Sequence, residues 1–144
     1  MKLSTRTRYG VRAIIDLAQD NGKKPLQLKV IAKRQNISVK YLEQLMTTLK
    51  SAGFVRSFRG SKGGYVLAKA PDKIKLSDVF HCLEGSVCTV ECVENVRYCE
   101  RAVDCAARQV WTQVQEAIDT VLQSITLRDL VRKVKDRKTL DYQI

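Results

Sequence analysis

Residues 38–69 read SVKYLEQLMTTLKSAGFVRSFRGSKGGYVLAK, and no other stretch narrows the fold as far. Tyr41, Leu42, Leu45, Met46 and Leu49 recur at helical steps, Ser38 stands where a hydroxyl caps a helix, and Gly53 stops it. Strand-like flanks follow at 54–58 and 65–67. Between them Arg59-Gly60-Ser61-Lys62-Gly63-Gly64 supplies the positive backbone angles of a tight hairpin. A nucleotide-phosphate loop is a poor match, because the Gly-Lys-Ser/Thr ending that opens a helix on phosphates is missing.

Upstream, a helical stripe at Val11, Ile14, Ile15 and Ala18 runs from residue 6 to residue 20, with a stop at Asn21 and Gly22. A second short helix spans 28–34, with Leu28, Ile31 and Ala32 on one face. Two helices joined by a short polar turn predict helix-turn-helix, and the hairpin after them is its wing. Downstream, Ser77 is placed to cap a short helix through Leu83 that Gly85 ends. Residues 88–105, CTVECVENVRYCERAVDC, lack helical period and read as a loop. From about Cys105, Ala107, Trp111, Val114, Ile118, Val121 and Ile125 alternate steps of four and three, which is a coiled-coil seam. Such a seam needs cover. A second copy of the chain is the economical partner, and packing on the chain's own head is the alternative. Thr126 starts a last helix, with Asp129 at capping-box spacing.

The expected architecture is mainly α with a small β-hairpin wing: a winged helix-turn-helix head plus a long dimerisation helix. Residues 1–75 form the head, 76–104 the short helix and cysteine-rich loop, 105–138 the dimerisation and C-terminal helices, and 139–144 a mobile tail.

Charge supports a nucleic-acid partner for the head. Residues 1–75 hold 17 lysines and arginines against 4 acidic residues, a balance of +13, whereas residues 76–144 hold 9 against 11, a balance of −2. A generic solubilising surface accounts for net charge but not for this asymmetry. The start, MKLSTRTRYGVRAIIDLAQ, has no signal-peptide core, and no apolar run is long enough to span a membrane, so a cytoplasmic protein with no membrane partner is expected. In a reducing cytosol, four of five cysteines within residues 88–105 point to metal ligands or redox sensing rather than structural bridges. No Cys-x-x-Cys pair, placed histidine base or paired carboxylates suggest an enzyme or a small-molecule substrate.

The segments MKLSTRTRYGVRAIIDLA, ISVKYLEQLMTTLKSAGFVRSFRGSKGGYVLAK, the cysteine loop, and VW followed by ITLRDLV together resemble the IscR-like iron-sulfur regulators of the Rrf-two-type repressor family, over nearly the whole chain to about residue 133. The resemblance implies a homodimer that binds a palindromic double-stranded operator and represses iron-sulfur assembly genes. It places Ser38, Lys40, Tyr41, Glu43 and Gln44 in the major groove, and Arg59 with Gly60 on the wing in the minor groove. Side-chain chemistry agrees: Gln44 can pair with adenine, Glu43 can accept from cytosine, and Lys40, Arg56 and Lys62 suit phosphate. Relatives met in this family also respond to nitric oxide, redox state or cysteine supply. Rivals of a different class are a thiol oxidoreductase and a cluster carrier.

The resemblance also implies that Cys92, Cys99 and Cys105 hold an iron-sulfur cluster, of the two-iron two-sulfur kind. Their wide spacing suits such a core better than the tight knuckles of zinc sites. The fourth ligand departs from the pattern. Arg108 stands where related regulators carry a histidine, Arg8 stands where others offer a carboxylate, and neither guanidinium can ligate iron. Cys88 is the simplest substitute. Cys82 and His81, in the preceding helix, are expected to be structural, and Glu91, Glu94, Glu100 and Asp104 are oxygen donors that nothing singles out.

Overall fold

Ser4 starts the first helix by accepting the Thr7 N–H on its hydroxyl at 3.2 Å in the computed structural model, which describes residues 2–19 and 24–142. The Asn21-Gly22 stop lies outside the described residues. Helix α1 (Thr5–Ala18) buries Ala13, Ile14, Leu17 and Ala18, and its Asp16, only 4% exposed, ties it to α2 (Leu28–Gln35) by accepting from Arg34 Nη1 at 3.1 Å and Gln35 Nε2 at 3.3 Å. Asn36, in the left-handed region at φ 54°, makes the turn into α3 (Val39–Ser51). There Ser38 caps as expected, accepting the Tyr41 N–H at 3.1 Å.

Leu42, Leu45, Met46 and Leu49 of α3 are all buried, which fixes which side of this helix faces out. Gly53, at φ 82°, ends it: the N–H groups of Gly53 and Phe54 bond the carbonyls of Lys50 and Leu49 at 3.0 Å each, the arrangement a left-handed glycine permits. Strands β1 (Val55–Phe58) and β2 (Gly64–Leu67) then pair antiparallel, Val55 opposite Leu67 and Phe58 opposite Gly64. Leu26 extends the hairpin by exchanging backbone bonds with Tyr65, so the wing is anchored to the residues that precede α2.

Helix α4 (Leu76–Glu84) begins earlier than its serine suggests. Lys75 is the N-cap, without a side-chain bond, and Ser77 sits inside the first turn at 4% exposure. The start is set by backbone pairing instead, Leu76 N–H to the Ile125 carbonyl at 2.8 Å and Leu127 N–H to the Ile74 carbonyl at 3.0 Å. The other end of α4 locks onto α1. The Glu84 carboxylate accepts from the Ser4 hydroxyl at 2.6 Å, the Ser4 N–H at 3.3 Å and the Thr7 hydroxyl. These bonds, from Ser4 and then Thr7, hold the Glu84 carboxyl below the usual carboxylate range. A depressed folded-state pKa stabilises the fold above the unfolded value of about 4.3 and loses that contribution as pH falls through the folded value. Glu84→Gln is therefore expected to cost about 1–2 kcal/mol at neutral pH. In paired thermal melts the gap from wild type should close as the buffer is taken to strong acid; a gap constant with pH would count against the charge of Glu84.

The cysteine-rich stretch is not wholly loop. It contains a one-turn helix α5 (Glu91–Glu94) and a 3-10 turn (Val96–Tyr98), both too short to leave a periodic apolar signature. Helix α6 (Ala106–Ser124) follows as expected. Trp111, Val114 and Val121 lie 43%, 41% and 57% exposed, while Ile118 and Ile125 are half-buried. The half-buried Arg108, Thr112, Gln115, Asp119 and Leu122 recur at the same helical spacing along a different stripe of α6. Helix α7 (Leu127–Tyr142) starts with the reciprocal Thr126–Asp129 cap at 2.8 Å and 3.3 Å. It runs to Tyr142, so residues 139–142, expected in a mobile tail, are helical; no glycine or proline interrupts them, and 143 and 144 lie outside the described residues. Among the described residues no helix is long and apolar enough to cross a membrane.

Candidate nucleic-acid interface and cysteine segment

With its apolar stripe buried, α3 turns Lys40, Glu43 and Gln44 outward, all exposed, and Ser38 is exposed at its start. Tyr41 is half-buried and meets Tyr9 of α1 edge to face, ring centroids 6.2 Å apart. Arg59, Gly60 and Lys62 are exposed at the hairpin turn, and Lys50 Nζ donates to Ser57 Oγ at 2.7 Å, joining the end of α3 to β1. The structure thus exposes the expected reading residues on one helix and the wing beside it. Glu43 also faces the wing: the Tyr65 hydroxyl is pushed above its ordinary pKa by burial first and by the Glu43 carboxylate second.

A basic-aromatic patch on α1 borders this face and was not among the residues predicted to contact DNA. The Arg12 and Arg8 guanidiniums lie 5.5 Å and 6.0 Å from the Tyr9 ring centre, and Arg6 Nη2 donates to Thr48 Oγ1 of α3 at 3.2 Å. The RTRYGVR spelling carries the signal, alternating cations around a tyrosine within the first helix.

The cysteine segment is pinned to α6. Arg108 Nε donates to the Cys92 carbonyl at 2.8 Å, the Thr89 N–H donates to Gln115 Oε1 at 3.0 Å, and the Cys88 thiol donates to the Val90 carbonyl at 2.7 Å. All five cysteines are free; Cys88, Cys92 and Cys105 are half-buried and Cys99 is exposed. Cys82 lies apart on α4, its sulfur 3.9 Å from the Thr48 carbonyl, and burial pushes its thiol pKa up more than the nearby Arg6 draws it down. His81 is exposed.

An iron-sulfur cluster needs thiolates that converge. Cys92, Cys99 and Cys105 match it in donor chemistry, being free and not packed into the core. Among the described residues of the single chain no three histidine, cysteine or carboxylate side chains, Cys88 included, are already gathered as a metal site, so a cluster would draw the segment's thiols together as it binds. Arg108, which the resemblance sets where related regulators carry a histidine, is committed to the Cys92 carbonyl.

Comparison with known proteins resolves the family. The Rrf2 model, described as an iron-dependent transcriptional regulator, matches residues 3–133. The chain is 42% identical to protein rrf2 of Nitratidesulfovibrio vulgaris, covering 92% of this chain and 88% of that one. It is 43% identical to the transcriptional regulator CymR of Bacillus subtilis over 90% of this chain and 89% of the relative. The solved structure of CymR, the global cysteine regulator of that organism, superposes with a TM-score of 0.80 at 42% identity, covering 92% of this chain and 98% of that one. The T. potens IscR structure gives a TM-score of 0.77 at 41% identity, covering 95% and 90%. With its helix-turn-helix, wing and long penultimate helix shared over nine-tenths of its length, this chain belongs to the Rrf2 family of transcriptional regulators.

Proposed function

We propose that this regulator is a homodimeric repressor that reads a palindromic operator with α3 and the wing, and that Cys92, Cys99 and Cys105 hold an iron-sulfur cluster whose presence it reports to iron-sulfur assembly genes. The observation that carries the sensor reading is the set of three free thiols on a short segment between the DNA-reading head and α6, in a chain 41% identical to T. potens IscR. The uncovered Trp111–Val114–Val121 stripe, continued by Ile118 and Ile125, supplies the dimer surface. A two-fold dimer sets its reading helices one helical turn of DNA apart, about 34–36 Å, or a multiple of that, which is why the operator should be palindromic.

When bound, the cluster supplies a state that depends on iron and sulfide. The chain's own residues supply the connection to DNA. The segment is bonded to α6 through Arg108 and Gln115; it follows α4, and α4 is bolted to α1 by Glu84 and lies against α3 at Cys82. A change in the segment therefore bears on both the dimer helix and the reading head.

A second reading, thiol-based sensing of cysteine supply or redox state, is favoured by Arg108 at the position of the missing ligand and by the 43% identity to CymR. An anaerobic absorption spectrum, with iron and acid-labile sulfide counted on the same sample, separates the two. The cluster reading expects a coloured protein with matched iron and sulfide, bleached by Cys92→Ser. In that case Cys88→Ala should alter the spectrum if Cys88 is the fourth ligand. Colourless protein after anaerobic reconstitution would move the sensor to thiol chemistry and leave the DNA-binding assignment standing.

A further inference from the structure

Behind the wing, the hairpin and α7 enclose a groove that the cysteine segment does not use and that shares only Arg56 and Lys62 with the residues assigned to DNA phosphate. Its cavity is about 1040 Å³, against roughly 300–1,000 Å³ for sites that take small organic ligands. The floor is apolar: Val66, Leu67 and Val131 lie there at 4%, 5% and 8% exposure, with Pro71 at the edge and Phe58 half exposed at 51%. The rim is basic. Arg56, Lys62, Lys69, Arg128, Arg132 and Lys135 line it against a single carboxylate, Asp72. Among the described residues the one ion pair is Arg34–Asp16, so none of these six cations forms a close salt bridge there; the nearest acidic influence on Arg128 and Arg132 is the Asp129 carboxylate at the start of α7.

The groove lies on the wing's back. Ser57 faces α3 through Lys50, so Arg56 and Phe58, on either side of it in β1, turn to the opposite face. DNA phosphate has no use for an apolar floor, whereas a ligand with an apolar body and a charged head uses floor and rim together. Gathered cations repel one another in an empty groove, and an anion relieves that repulsion.

We propose that this groove binds an amphipathic organic anion, a phosphate or carboxylate head on an apolar body, with the head held by the α7 guanidiniums. Such a ligand would bridge the wing to the helix that follows α6, a second input to the regulator independent of the cysteines.

The test is a fluorescence titration of the full-length protein with anilinonaphthalene sulfonate, competed by decyl phosphate, by decanoate, and by decanol as the uncharged body. Saturable binding displaced by either anion at a concentration at least tenfold below that of decanol is expected. Arg132→Glu and, on the facing wall, Lys69→Glu should each weaken displacement at least tenfold; both residues are exposed, so the melting temperature should hold. Equal competition by decanol, or unchanged affinity in both variants, would overturn the proposal. So would loss of operator affinity in Arg132→Glu without any anion present, which would make the groove a DNA-backbone contact.

Discussion

Arg59→Ala is expected to weaken operator binding by about 1–3 kcal/mol, roughly 5- to 150-fold, with no change in melting temperature. Arg59 is exposed at the hairpin turn, and no carboxylate of the described residues pairs with it, so its guanidinium is free to enter a narrow, electronegative minor groove. Because that groove varies in width with sequence, the loss should be larger on the operator than on unrelated DNA. Lys62→Ala should behave differently: a modest loss on all sequences, with the salt dependence of binding shallower by about one unit of log-log slope. Anisotropy titrations over a range of salt, on an operator selected by the wild-type protein from random sequences, distinguish the two. Unchanged operator affinity for Arg59→Ala would remove the wing from the reading surface.

The second large effect is expected from Gly64→Ala. Gly64 opens β2 at φ 146°, and a Cβ there would stand 2.5 Å from the Leu26 carbonyl oxygen and 2.6 Å from its carbon. Backbone cannot step aside as a side-chain tip can. The conformation alone costs a non-glycine residue about 1–3 kcal/mol, and the clash adds to it by forcing Leu26 and Tyr65 apart. The expected result is a lowered melting temperature together with loss of DNA binding, since the wing loses the bridge that fixes it to the head. Gly53→Ala is the comparison: it is strained at φ 82°, but nothing lies within 4 Å of its added Cβ, so it should cost less. Equal melting temperatures for wild type and Gly64→Ala would mean that the wing is not held by this pairing.

The parts legible from the chain are those in which local spelling and burial agree. Ser38, Gly53 and the Leu42–Leu45–Met46–Leu49 stripe each specify the same helix from a different physical cause, and the structure has that helix from Val39 to Ser51. Arg59 to Gly64 specify a hairpin for the same reason. The failures come where a distant segment makes the decision. Ser77 looked like a cap, but α4 starts where its backbone pairs with 125–127, some fifty residues downstream. The bond from Arg6 of α1 to Thr48 of α3 and the lock of Glu84 on Ser4 and Thr7 both join elements far apart in the chain, and neither spacing nor composition encodes such a meeting.

The sequence by itself determined the kind of molecule: a basic head that reads nucleic acid, a cysteine-rich segment, and an amphipathic helix with one face in search of cover. Those properties follow from charge, periodicity and turn chemistry, which act over a few residues. Tertiary structure alone decided that Arg108 bonds the Cys92 carbonyl, that among the described residues no three of the segment's cysteines are gathered as a metal site, and that six cations gather behind the wing. Those outcomes depend on which surfaces pack together, and packing is settled by the whole core at once.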